Sequence, residues 1–194
     1  MFYVMKKQPE LTAITKQNIK NVFWDIFKEK PIERITVKEI CQISGYNRST
    51  FYVYFKDVYD VLNTIENDLL EELHNILNEN PVELFSSNHF VVKMTEIYNA
   101  KGEQLYYLFK SDSGSNFISK YKELIKSILF VDDFIDIDKE LKFQLLFEFM
   151  ISAIISAISF WYPRKEIMQT SEFIEYIHDI AENGPIKKMN ELFK

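Results

Sequence analysis

A single glycine joins two short helical patterns between Thr36 and Phe55, in the segment TVKEICQISGYNRSTFYVYF. Thr36, with Glu39 three residues later, has the spacing of a capping box, which predicts that a helix begins at this point. This helix is expected to end near Ser44, because Gly45 can take the left-handed backbone conformation of a helix C-cap. Two short helices joined by such a turn are typical of a helix-turn-helix.

The second helix of this pair is predicted to begin after Asn47, whose side chain can cap it. Phe51 and Phe55 are four residues apart and lie on one helix face, which we expect to be buried. An earlier helix, from Thr15 to Pro31, has apolar residues at helical spacing and completes a three-helix unit. Because the second helix of a helix-turn-helix enters the major groove of DNA, the sequence predicts a DNA-binding domain here.

The rest of the chain also favours helices. Only 4 glycines and 5 prolines interrupt its 194 residues, whereas an all-β fold requires many tight turns. A long helix is predicted to follow Asp57, its N-cap, and to end at Pro81. Further helices are predicted near residues 88–100, 103–110, 115–130, 137–162 and 171–182, with a short terminal piece. The expected fold class is all-α.

Charge is distributed unevenly along the chain. Residues 1–56 hold ten Lys or Arg and five Asp or Glu, a balance of +5, so the remainder must carry −11 to give the total of −6. A positive end on a negative body can face phosphate at that end only. The charge pattern is therefore compatible with DNA binding by the first 56 residues.

The second helix of the pair carries groups that suit DNA recognition. Arg48 can form two hydrogen bonds with a guanine edge or pair with a phosphate, and Asn47 can read adenine. The Ser, Thr and Tyr hydroxyls can bond phosphate oxygens. The alternative is a solvated surface helix, which does not need so many hydroxyl and aromatic groups outside its buried stripe.

The segment ITVKEICQISGYNRSTFYVYFKDVYDVL resembles the DNA-binding domain of the TetR family of transcriptional regulators. The similarity covers roughly Ile14 to Leu62 and includes the capped helix, the glycine turn, the Thr-Phe-Tyr sequence and the Lys-Asp step into a long helix. It implies phosphate-backbone contacts near Thr36 and Val37. It also implies that base edges are faced by Tyr46, Asn47, Arg48 and Ser49, and that phosphates are contacted by Tyr52 and Tyr54.

Two positions depart from the family's pattern. Tyr54 stands where the family commonly has His, and Val58 stands where a Lys often contacts phosphate at the start of the fourth helix. Lys56 is expected to compensate for the missing phosphate contact. Cys41 stands where Ala is usual, which favours a small buried residue over a redox sensor.

The resemblance implies a DNA-binding domain at residues 1–56 and a helical effector-binding and dimerisation domain at residues 57–194. The implied function is a homodimeric repressor that leaves a palindromic operator on double-stranded DNA when a small apolar or aromatic effector binds. An activator, or a regulator that answers to a protein partner, has the same sequence features. A helical enzyme or small-molecule-binding protein without DNA binding is the less favoured alternative.

Aromatic side chains in the second predicted domain are candidates for the lining of an apolar effector pocket, and Glu148 is a candidate partner for a cationic or phenolic ligand. For each aromatic residue, ordinary core packing is the favoured alternative, so no ligand-binding residue is assigned. These residues are Tyr98, Tyr106, Tyr107, Phe109, Phe117, Tyr121, Phe147, Phe149 and Trp161.

No motif for catalysis or metal binding stands out. His74, His89 and His178 lack metal-ligand spacing, and the sequence has neither a phosphate-binding loop nor a nucleophile elbow. We therefore expect no enzymatic activity, no metal and no cofactor. The apolar run from Phe143 to Tyr162 is interpreted as a packed helix rather than a membrane span, and the expected location is the cytoplasm.

Overall fold

A computed structural model describes residues 9–78, 87–111, 117–129 and 137–184. These ranges contain eight α-helices and two 3-10 turns, at Ile32–Arg34 and Tyr162–Arg164, and no strand. The all-α prediction is therefore confirmed. The helices are α1 (Pro9–Glu29), α2 (Val37–Ser44), α3 (Arg48–Tyr54), α4 (Val58–Asn78), α5 (Ser87–Lys110), α6 (Phe117–Leu129), α7 (Ile137–Trp161) and α8 (Thr170–Asn183).

The helices up to Leu69 form the first of two compact units. Its core consists of apolar side chains from α1 to α4, among them the fully buried Ile19, Phe23 and Phe51. Polar contacts also join its helices. Lys20 of α1 forms an ion pair with Asp68 of α4 at 2.7 Å. Short helices are stable in proteins mainly because their apolar faces pack against one another.

The helices from Leu70 onward form the second compact unit. Leu105, Leu108, Phe117 and Ile158 are almost completely buried there. The start of α8 is fixed against the end of α7 by Trp161, whose ring stacks on that of Phe173 with centroids 4.3 Å apart. The Trp161 indole N–H also donates to the Met168 carbonyl, so the α7–α8 connection is held at both ends.

Two helix boundaries differ from prediction. Within the described residues, helix α1 extends back to Pro9, beyond the predicted start near Thr15. Helix α5 continues through Gly102, so the predicted break between residues 100 and 103 is wrong. A Cβ atom on Gly102 would lie 3.2 Å from Cε2 of Tyr162, which indicates that this glycine accommodates a neighbouring ring instead of ending a helix.

Other predicted elements agree in position with the structure. Helices α6, α7 and α8 overlap the predicted ranges 115–130, 137–162 and 171–182. The predicted helix end near Pro81, most of the loop at residues 111–116 and the terminal piece lie outside the described residues. The domain boundary at residues 56 and 57 stays a prediction.

One helical stretch within the described ranges, Gln144–Arg164, is long and apolar enough to cross a membrane by length and composition. Its most apolar window is 28% buried within the chain. A core helix of a water-soluble protein meets the same criteria, so this stretch alone is weak evidence for a membrane span.

Candidate DNA-binding surface and ligand cavity

The turn between α2 and α3 has the predicted geometry. Thr36 caps α2, since its hydroxyl oxygen accepts a hydrogen bond from the Glu39 backbone N–H at 3.2 Å. Gly45 ends α2 with φ 74° and ψ 7°, in the left-handed region that favours glycine. The Glu39 carboxylate binds Lys30, with both oxygens 2.7 Å from Nζ, and so ties the end of α1 to α2.

Asn47 caps α3, as predicted. Its side-chain oxygen accepts hydrogen bonds from the Thr50 backbone N–H at 2.7 Å, the Thr50 hydroxyl at 2.9 Å and the Ser49 hydroxyl at 2.6 Å. The side-chain oxygen of Asn47 and the hydroxyl hydrogen of Ser49 are thus already engaged in hydrogen bonds at the N-terminus of α3. Base contacts by these two residues stay a prediction, and the Asn47 amide nitrogen is not used in these three hydrogen bonds.

Helix α3 separates buried aromatic side chains from exposed polar ones. Phe51 and Phe55 are 0% and 2% exposed, which confirms their predicted burial. Arg48, in the first turn of the helix, is exposed, and Tyr52 is 58% exposed. Because the phenyl rings fix the orientation of this short helix, the guanidinium and the phenol project outward from a rigid base.

The other residues predicted to contact DNA differ in their exposure. Thr36 and Lys56 are exposed, whereas Val37, Tyr46 and Tyr54 are half-buried. The amide of Asn18 in α1 donates a hydrogen bond to the Tyr46 hydroxyl at 3.1 Å, which positions the phenol just before α3. DNA contacts by all these residues stay a prediction.

Tyr46, Asn47 and Arg48 line an open depression together with residues of α2. Lys38 and Gln42, four residues apart on α2, belong to this lining, and neither was assigned from the sequence. Their spacing places them on one helix face, which is the signal that would have found them. Burial raises the pKa of the nearby Cys41 thiol, and Arg48 partly offsets that rise, so a buried neutral thiol is favoured.

The second compact unit contains a cavity of about 230 Å³. Of the described residues that line it, only Tyr98 and Tyr121 carry a hydroxyl group, and these two hydroxyls are hydrogen-bonded to each other. Burial raises the pKa of both phenols, most strongly for Tyr98. The wall is formed by Leu73, Leu77, Phe90, Met94, Ile97, Tyr98, Leu105, Tyr121, Ile125, Ile128, Met150, Ile151, Ile154, Ile158, Phe173, Ile174 and Ile177.

Only two of the nine aromatic candidates, Tyr98 and Tyr121, line this cavity. Glu148 is not part of the lining and pairs instead with Lys122 at 2.5 Å. The sequence could not identify the rest of the wall because α4 to α8 all contribute to it, and their juxtaposition is a tertiary property.

No protein-family model and no curated protein matches the sequence. Solved structures do match. A TetR transcriptional regulator from Streptococcus agalactiae 2603V is 18% identical, with a TM-score of 0.63 over 89% of this chain and 96% of that one. The chain has the TetR-like fold.

Two further solved structures are similar to this chain over most of their length. The fatty acid degradation regulator FadR from Bacillus halodurans is 13% identical, with a TM-score of 0.65 over 93% of this chain and 98% of that one. The dihydroxyacetone kinase operon activator DhaS is 19% identical, with a TM-score of 0.50 over 90% and 96%. The resemblance inferred from the helix-turn-helix sequence is thus confirmed for the fold.

In this TetR-like chain, the departure at Val58 has a structural reason. Val58 is 8% exposed and belongs to the core. The start of α4 is capped by acidic side chains, since Asp57 accepts from the Asp60 N–H and Asp60 accepts from the Lys56 N–H, each at 2.9 Å. The side chain of Lys56, just before this helix start, is exposed, and its compensating phosphate contact stays a prediction.

Proposed function

We propose that this protein is a sequence-specific DNA-binding transcriptional regulator, acting in the cytoplasm as a homodimeric repressor that a small apolar or aromatic effector releases from a palindromic operator. The observation that carries the proposal is the construction of α3. Its buried Phe51 and Phe55 fix a short, capped helix, on which the side chains of Arg48 and Tyr52 are exposed. No catalytic or cofactor chemistry is part of the proposal.

DNA recognition would divide between bases and phosphates. Arg48 would donate two hydrogen bonds to a guanine edge, the commonest specific contact of this residue type. Base edges would also be faced by Tyr46, Asn47 and Ser49. Phosphate contacts, which fix the register without reading sequence, would come from Thr36, Val37, Tyr52, Tyr54 and Lys56.

An exposed apolar stripe on α7 supports the homodimer. Leu141, Leu145 and Phe149 recur every four residues and are 58%, 63% and 68% exposed. Exposed Ala153 and Ser156 continue the helix surface with small side chains that permit close approach of a second helix. Contiguous apolar surface of this kind is unusual on a protein that works as a monomer. A two-fold dimer would present two copies of α3 to a palindrome.

The cavity supports the effector. Helix α4 contributes Val61 to the core near the DNA-binding helices and Leu77 to the cavity wall. A ligand that shifts α4 would therefore act on the element that follows α3 directly in the chain. The ligand must bind the DNA-free conformation more tightly than the DNA-bound one, because equal affinity for both conformations shifts no population.

The proposal is tested by selecting bound sites from a random pool of duplex DNA with the purified full-length protein. The expected result is a palindrome whose half-sites are about one helical turn apart, roughly 10 base pairs. Failure of folded protein to enrich any sequence, in the presence and absence of candidate effectors, would contradict the proposal.

The second candidate is an activator with the same DNA-binding surface, which is favoured only by the likeness to DhaS, itself described as an operon activator. A reporter gene placed behind the selected site separates the two. Repression gives less reporter signal with the protein than without it, and activation gives more.

A further inference from the structure

We infer that the cavity takes a neutral, mainly apolar molecule carrying one hydrogen-bond-accepting oxygen, which the paired hydroxyls of Tyr98 and Tyr121 hold in place. The inference rests on the proposed function in that this molecule is taken to be the effector. It adds the chemical class of the ligand and the two side chains that recognise it.

The charge of the ligand follows from the composition of the cavity wall. Among the described residues of the wall, none is ionisable other than the two tyrosines, and burial raises the pKa of both, so they remain uncharged at neutral pH. A carboxylate or an ammonium group placed in this wall would lose its hydration without gaining an opposite charge, which is strongly unfavourable. The cavity therefore selects against ions.

The accepting oxygen follows from counting hydroxyl hydrogens. Two phenols hold two hydrogens, and the bond between Tyr98 and Tyr121 uses one of them. The second hydrogen is available to a ligand whichever phenol donates within the pair. A buried donor gains most from an acceptor, so a carbonyl, hydroxyl or ether oxygen on an otherwise apolar molecule completes the pair.

The position of this donor is fixed by aromatic packing. The ring of Tyr121 lies 5.1 Å from that of Phe109 in an edge-to-face arrangement and 6.2 Å from that of Phe117. Phe109 and Phe117 also contact each other, with centroids 5.6 Å apart. Little side-chain entropy is then lost when a ligand binds, since the phenol is already held in one orientation.

The test uses three ligands of nearly equal size and shape that differ in the group attached to a phenyl ring. Acetophenone carries a neutral acceptor oxygen, isopropylbenzene carries none, and benzoate carries a charge. Binding of each to the full-length protein is measured by titration calorimetry without DNA. Because no DNA is present, calorimetry reports ligand binding alone. DNA binding is measured separately by the selection of sites from random duplex DNA, so the two failures can be distinguished.

The expected result is that acetophenone and isopropylbenzene bind and that benzoate binds at least about tenfold more weakly than acetophenone. Replacing both phenols, Tyr98→Phe with Tyr121→Phe, should shift the ratio of the two neutral affinities against acetophenone by about 3- to 10-fold. The matched variant Tyr107→Phe, whose side chain does not line the cavity, should leave the ratio unchanged.

The inference would be overturned by benzoate binding as tightly as acetophenone, by an unchanged ratio in the double variant, or by no binding of either neutral probe. Ile154→Trp, which fills the cavity, should abolish binding of both neutral probes, and Ile125→Phe serves the same purpose if the first variant does not fold. Undiminished binding to a folded, filled variant would place the ligand elsewhere and also overturn the inference.

Discussion

The side-chain oxygen of Asn47 lies 2.7 Å from the backbone nitrogen of Thr50 and caps the helix proposed to read DNA. This contact gives Asn47 a structural role that is separable from base recognition. Asn47→Ala should lower the free energy of unfolding by about 1 kcal/mol, because the first turn of α3 loses its cap. Asn47→Ser should retain most of that stability, since a serine hydroxyl can also cap.

The same pair of variants tests recognition by the amide nitrogen. If Asn47 donates to a base, Asn47→Ser lowers DNA affinity while urea unfolding shows nearly unchanged stability. Equal DNA affinity of Asn47→Ser and the wild type would limit Asn47 to its capping role.

Gly45 should be sensitive to substitution for a conformational reason. Its φ of 74° is unfavourable for a residue with a Cβ atom, although no atom lies within 4 Å of the Cβ position. We expect Gly45→Ala to lower the free energy of unfolding by about 1–2 kcal/mol. Gly45→Asn should cost less, because Asn adopts the left-handed region more readily. Chemical denaturation of both variants checks this order, and equal stabilities would count against the conformational explanation.

The exposed stripe on α7 predicts the oligomeric state. Phe149→Lys should convert dimers to monomers in sedimentation velocity, because a charge would be buried without a partner in the interface. Val92 on α5 is 58% exposed and offers a control, since Val92→Lys introduces the same group outside the stripe. A monomeric wild type, or a dimer that survives Phe149→Lys, would exclude this stripe as the interface.

The buried phenols predict how stability depends on alkaline pH. Burial raises the pKa of Tyr98 above its usual value of 10.0, and Tyr121 beside it contributes in the same direction. Because the pKa of Tyr98 is higher in the folded than in the unfolded protein, its contribution to folding stability is fully present below pH 10. That contribution is lost as the pH rises further, since the phenol then ionises more readily in the unfolded protein. Between pH 8 and a pH above 10, the free energy of unfolding should therefore fall less in Tyr98→Phe than in the wild type, as measured by urea unfolding at both pH values. Parallel losses in the two proteins would indicate that other groups control the alkaline transition.

Local sequence signals predicted the helices of the first compact unit well, because nearby residues set the helix boundaries. Thr36, Gly45, Asn47 and Asp57 each act within a few positions of a helix end, so their roles were visible in the sequence. The ion pair of the Glu39 carboxylate was not visible in the sequence, since its partner Lys30 lies outside α2, just after the end of α1. Ion pairs of this kind depend on how separate parts of the chain pack together, which local sequence patterns do not show.

Gly102 and the cavity show the same limit of sequence-based prediction. A glycine inside a helical pattern suggested a break, but the ring of Tyr162, sixty residues away in sequence, occupies the space that a side chain would need. The cavity wall likewise combines α4 to α8. Helical periodicity predicts which face of each helix is apolar, whereas the arrangement of five helices determines where a space remains between them.

The most direct test of the central claim, that α3 reads DNA, is the affinity of the wild type, Arg48→Ala and Lys126→Ala for a selected duplex, measured by fluorescence anisotropy at several salt concentrations. Both substitutions remove one exposed positive charge, but Lys126 lies on α6 in the other compact unit. We predict that Arg48→Ala loses about 1–3 kcal/mol of binding free energy, while Lys126→Ala stays close to the wild type. Unchanged affinity and salt dependence in Arg48→Ala, or equal losses in the two variants, would contradict the claim.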